Sequence, residues 1–127
     1  RLDQTIKKLG PEFIQLTGED GLAYKFNKRG GVGIISVTAN IAPKLCSDMQ
    51  KYSKSSTEKE IKEAERIDQI LQPLHKSLFL ESNPAPVKYA AMLLGLCSDE
   101  IRLPLVKIKK ETQEEVKKAL SSAKLIS

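Results

Sequence analysis

A chain of 127 residues, 40% hydrophobic and 29% charged, holds enough apolar material for one modest core and shows none of the bias of a disordered segment. Its 21 lysines and arginines against 16 acidic residues leave a net charge of +5 spread along the chain, which points to solubility and weak steering of anions rather than a nucleic-acid surface. Two cysteines and a single histidine without ligand-like spacing argue against a disulfide scaffold and a zinc site, and no run approaches the ~18 apolar residues of a membrane span.

Arg1 to Leu9 places Leu2, Ile6 and Leu9 at helical spacing, ends at Gly10 and Pro11, and lacks the apolar stretch of a signal peptide. The chain opens on Arg with that period already under way, so a piece of a longer protein is expected, in a cytoplasmic setting with reduced thiols at Cys46 and Cys97. Phe13 to Leu16 reads as a short strand, closed by the polar turn Thr17, Gly18, Glu19 and Asp20, with Asp20 suited to cap a helix over 21–28. Arg29, Gly30 and Gly31 release the chain into Val32 to Val37, whose unbroken apolar character suits a parallel strand covered on both faces. The pattern is β/α.

Pro43 suits the first turn of a helix over about 43–54. After a polar break, Thr57 and Glu60 have capping-box spacing, and Ile61, Ala64, Ile67, Leu71, Leu74 and Leu78 share a helical face. Pro73 inside that run predicts either a kink or two shorter helices. Asn83 to Pro86 forms a stiff connector to a helix over 87–94 that Gly95 ends, Leu103 to Val106 is extended, and a last helix starts at Thr112 with Glu115 in capping relation. The shift in composition at 53–57 divides the chain into a β/α part, 1–54, and a helical part, 55–127. Two parallel strands leave faces and edges open, so more of the sheet is expected from elsewhere.

Gly30 to Asn40, reading Gly-Gly-Val-Gly-Ile-Ile-Ser-Val-Thr-Ala-Asn, closely resembles the eighth strand and following loop of the dihydrodipicolinate synthase family. Asn83 to Lys88 is similar to that family's Asn-Pro-x-Pro-Val-Lys segment, with Leu74, His75 and Lys76 at a fitting distance before it. Leu16 to Asp20 resembles the end of its strand seven, and Arg102 to Val106 matches near the end, so the likeness runs from about residue 13 to 106. It implies the C-terminal portion of a (β/α)8 TIM barrel, strands 7 and 8, with a helical C-terminal extension. The implied activity is a Schiff-base lyase that condenses pyruvate with L-aspartate 4-semialdehyde to 4-hydroxy-tetrahydrodipicolinate, on the route to lysine and diaminopimelate.

No cofactor or metal is implied, and neither nucleic acid nor membrane is an expected partner; a homo-oligomer, a tetramer by resemblance, is. The family's Schiff-base lysine and tyrosine relay fall before Arg1, so this chain by itself is expected to carry no catalytic residue and to be inactive. Ile35 then corresponds to a substrate-binding position, with Ser36 and Asn83 as further candidates, although core packing accounts equally well for Ile35. Thr38 and Asn40 suit turn roles, Lys88 a helix surface, His75 a packed and hydrogen-bonded helix position, and Lys107, Lys109 and Lys110 a solvated face. A non-catalytic helical scaffold and another pyruvate-dependent aldolase, of the N-acetylneuraminate lyase kind, are the competing readings.

Overall fold

In the computed structural model of the chain, residues 2–127 are described. Helix α1 spans Leu2–Leu9 and closes at Gly10, whose φ of 86° lets its N–H reach the Ile6 carbonyl at 2.8 Å. Strands β1, Leu16–Thr17, and β2, Gly33–Ile34, pair in parallel, with Leu16 opposite Gly33 and Thr17 opposite Ile34. Backbone bonds from Val32 to Gln15 at 3.1 Å and from Ile35 to Thr17 at 3.0 Å extend the contact at both ends.

Both strands are shorter than the expected 13–16 and 32–37, and β1 ends one residue later, at Thr17. Each has a single neighbour, so apolar residues such as Phe13 and Ile14 have no ladder among the described residues, and Val37 gives its N–H to the Asp20 side chain instead.

The expected helix over 21–28 splits into a 3-10 turn, Asp20–Leu22, and helix α2, Ala23–Lys28. Asp20 does not cap it: neither element has a side-chain cap bond, because the Asp20 carboxyl group is turned across to the segment after β2. Phe26 of α2 lies over Gly31, where an added Cβ would fall 2.0 Å from the ring, so only glycine fits between α2 and β2 there.

A second 3-10 turn, Thr38–Asn40, leads to helix α3, Pro43–Tyr52, with proline in the first turn as expected. Helix α4 runs unbroken over Glu58–Ser77, so the alternative of two shorter helices falls. Leu71, Leu74 and Leu78, on both sides of Pro73, are fully buried, and that burial outweighs the backbone donor lost at proline.

Thr57 sits at the N-cap of α4, but the capping box is not made. The Ser55 hydroxyl accepts the Thr57 N–H at 2.9 Å and donates to the Glu60 carboxylate, taking from outside the helix the one donor that Glu60 would have taken in the box. Helix α5 spans Ala85–Leu93 and starts two residues before the expected point. Helix α6, Lys110–Ser122, also starts early, because its first turn is held by Glu81. That side chain accepts the Lys109 N–H at 2.9 Å and bonds Thr112, which together hold its carboxyl below the usual range.

Helix α4 is the spine, packed against α3 on one side and α6 on the other, while α5 contacts α6 and the 38–40 turn. One hydrophobic core joins Met49 of α3, Ile67, Leu71 and Leu74 of α4, Tyr89 and Ala90 of α5, and Val116 and Leu120 of α6. It also takes in Ala23, Ile41 and Ala42 from the β/α part, and Ile34 of β2 packs against it.

Candidate functional site

Residues of a strand alternate between faces, so with Ile34 turned toward the helices, Gly33 and Ile35 look the other way. Exposure agrees: Ile35 is 74% exposed, and Leu16, paired with Gly33 and therefore on the same face, is 54% exposed. Ile14 and Phe13 add to this open apolar surface. Two neighbouring parallel strands thus present an apolar wall on the face away from the helices, with Ile35 at the C-terminal end of β2.

Behind the wall lies a buried polar group. Asp20, 2% exposed, receives the Val37 N–H at 2.9 Å on Oδ2 and the Ser36 hydroxyl on Oδ1, while Ser36 Oγ accepts the Ala39 N–H at 2.9 Å. Thr38, fully buried, joins its Oγ1 to Nδ1 of His75 at 2.7 Å, and that nitrogen lies 4.0 Å from Asp20 Oδ1. His75 Nε2 is buried without a hydrogen-bond partner. A neutral ring protonated on Nδ1 leaves an orphan acceptor there rather than a costlier orphan donor, and directs its proton toward Thr38 and Asp20.

Burial pushes the His75 imidazole below its ordinary value, against the opposing pull of Asp20, Asp68 and Glu19. Burial likewise raises Asp68 and takes the Cys46 thiol up to about 11, so Cys46 is a poor nucleophile. Both cysteines are free.

The candidates fall in distinct places. Ile35 and Ser36 are consecutive at the end of β2, one open and one tied to Asp20. Asn83 is exposed just before α5, the helix that touches the 38–40 turn. Asn40 gives its amide to the Val37 carbonyl at 2.9 Å, a local turn bond. Lys88 donates to the Glu100 carbonyl at 2.6 Å, and Lys107 pairs with Asp99 at 2.8 Å. Glu19 remains exposed beside the buried Asp20.

The link from Asp20 to Ser36 and Val37 escapes sequence reasoning, since its partners are 16 and 17 residues apart and an aspartate after a turn reads as a cap. The His75 contact leaves one signal. His75 lies four residues after Leu71 and three before Leu78, on the apolar face of α4, where an imidazole must find a partner. A cavity of about 680 Å³ opens beside β1, lined by Leu2 and Thr5 of α1, Gln15 and Leu16, and Lys25 and Phe26 of α2, with no β2 residue. It lies along the edge of β1 turned away from its partner strand.

Adjacent parallel strands whose ends carry the site, backed by helices, are the arrangement of a (β/α) barrel segment with a helical extension. The chain belongs to the dihydrodipicolinate synthetase family, whose model matches residues 1–123. It is 62% identical over 126 residues to the 4-hydroxy-tetrahydrodipicolinate synthase of Pelagibacter ubique, covering 99% of this chain and 43% of that protein. The solved 4-hydroxy-tetrahydrodipicolinate synthase of Methylacidiphilum fumariolicum superposes with a TM-score of 0.91 at 35% identity, over 98% of this chain and 40% of the other. The chloride-inhibited dihydrodipicolinate synthase of Acinetobacter baumannii, complexed with pyruvate, gives 0.89 at 35% identity, over 99% and 42%. The chain therefore spans about two-fifths of the length of the relatives it matches.

Proposed function

We propose that this chain is part of a Schiff-base synthase that condenses pyruvate with L-aspartate 4-semialdehyde to 4-hydroxy-tetrahydrodipicolinate, in lysine and diaminopimelate synthesis. The observation that carries the reading is the pair of adjacent strand ends with an open apolar wall at Ile35, in a chain 62% identical to a synthase of that name. The pyruvate complex of the Acinetobacter baumannii relative supports the choice of first substrate.

In this reading the reactive lysine stands on a strand outside residues 1–127. Its amine adds to the pyruvate ketone and water leaves; the imine methyl then loses a proton to give an enamine, whose carbon adds to the aldehyde, and the amino group of the semialdehyde displaces the lysine as the ring closes. Ile35 packs against the bound pyruvate unit, Ser36 holds the strand end through Asp20, and Asn83 reaches the mouth of the site from the loop before α5. Residues 1–54 form the barrel portion and 55–127 the helical domain. The complete protein is a cytoplasmic homo-oligomer, a tetramer by family resemblance.

Pyruvate and borohydride test this directly. Reduction of the imine leaves a stable adduct, so intact mass is expected to shift for the complete protein and to stay unchanged for the 127-residue chain. An adduct on this chain would place the reactive lysine inside it and overturn the assignment. Turnover of pyruvate with L-aspartate 4-semialdehyde by the complete protein, and not of N-acetylneuraminate, separates the synthase from its aldolase relatives.

A further inference from the structure

We propose that Asp20, Thr38 and His75 form a positioning clamp that sets the end of β2, and through it Ile35, from the helical part of the chain. The proposal rests on the reading of Ile35 as a substrate contact and names the residues that place it.

Three elements meet in the clamp. Asp20 follows β1, Ser36 to Thr38 follow β2, and His75 lies in the last turns of α4. The Asp20 carboxyl group takes two donors from consecutive residues, the Ser36 hydroxyl and the Val37 N–H, immediately after Ile35. Ile35 is itself bonded back to Thr17 of β1 at 3.0 Å. The chain leaving β2 is thus held on both sides of the Ile35 side chain by groups belonging to the neighbouring strand and its loop. One residue further on, Thr38 is held by His75 at 2.7 Å.

Asp20, Thr38 and His75 are all buried, where a hydrogen bond competes with little water and a misplaced partner is costly. Their geometry gives the helical part a direct hold on the strand end. Elsewhere the helical part meets the β/α part through apolar packing, as at Ile34, and through bonds from Gln72 to the Gly21 carbonyl at 3.2 Å and from Tyr24 to the Glu65 carboxylate at 2.9 Å. None of the three side chains lies on the open face with Ile35, so each acts through the backbone it holds and none touches substrate.

Two substitutions isolate the clamp. Thr38→Val keeps the shape and removes the hydroxyl, and Thr38→Ser restores it. Asp20→Ala removes both acceptors, from the Ser36 hydroxyl and from the Val37 N–H. In the complete protein, each disruptive variant is expected to raise KM for pyruvate about three- to tenfold, the worth of one or two buried hydrogen bonds, while kcat changes less. Thr38→Ser is expected to return KM close to the parent value. In the 127-residue chain, amide hydrogen exchange at Val37 is expected to accelerate about tenfold or more in Asp20→Ala as its acceptor is lost.

Faster exchange together with raised KM supports the clamp. Unchanged exchange at Val37, or faster exchange with KM and kcat both unaltered, overturns it, as does a Thr38→Val variant that loses thermal stability alone. A parent protein that forms no pyruvate adduct defeats the underlying substrate reading, whereas an active parent with indifferent variants defeats the clamp only.

Discussion

Leu74 and Ile35 are side chains of nearly equal size and hydrophobicity, and one is fully buried while the other is 74% exposed. The contrast holds for the regions around them. Around α4, four helices close on one another and bury Leu71, Leu74, Val116 and Leu120 completely. At the two-stranded sheet, Phe13, Ile14, Leu16, Val32 and Ile35 stay open. A helix satisfies its own backbone and needs a neighbour on one stripe only, whereas a parallel strand needs a partner on each edge and cover on both faces. The helical part meets its requirement from within residues 2–127, and the sheet does not.

Core truncation gives the strongest test of that contrast. Leu74→Ala is expected to cost ~2–5 kcal/mol in urea denaturation of the chain, as deletion of a buried leucine generally does. Ile35→Ala is expected to stay within ~0.5 kcal/mol there, as at an open surface position. Under the proposed function, the order is expected to reverse for activity in the complete protein, with Ile35→Ala raising KM for pyruvate. Equal destabilisation by the two variants would show that the wall is covered in the isolated chain.

A smaller effect concerns acid. The folded state depresses the His75 value by burial, so below about 6.5 the unfolded chain takes up a proton that the folded chain refuses. Stability is expected to be full above that pH and to fall as pH drops toward the folded value, with the nearby Asp20, Asp68 and Glu19 softening the loss. His75→Asn, which can keep a bond to Thr38 without titrating, is expected to flatten this slope in denaturation curves below about pH 6.5.

The smallest expected effect is at the start of α6. Glu81→Gln weakens the acceptor for Lys109, so amide exchange in the first turn of α6 is expected to quicken while the α4 core is unaffected. The folded state holds the Glu81 carboxyl below its ordinary value, so its contribution is present above about pH 4.5 and is lost as pH falls through the folded value. Loss of exchange protection throughout α4 as well would mean that the helical part is less self-sufficient than its packing indicates.

Much of this division was legible in the amino-acid order. The apolar stripe of α4 from Ala64 to Leu78, the proline opening α3 and the glycine closing α1 depend on neighbours three or four residues away, and these elements stand where periodicity puts them. The wording of residues 16–20, 30–40 and 83–88 likewise carried the family resemblance, because those strand ends and loops are short contiguous segments. Of the candidate wall, the residues themselves were readable, but not which of them would be open.

Local order determined the helices, the β/α alternation and the family, all of which rest on interactions within a few residues of chain. Tertiary structure alone decided that Asp20 bridges to Ser36 and Val37 rather than capping a helix, that Glu81 holds α6, that Pro73 leaves α4 whole and that the strands shrink to two residues each. The strands shrink because each has a single neighbour among the described residues, whereas at Asp20, Glu81 and Pro73 a local option competed with a distant one. The distant one prevailed because burying a backbone or side-chain donor without a partner, or leaving leucines in water, costs more than a local cap returns.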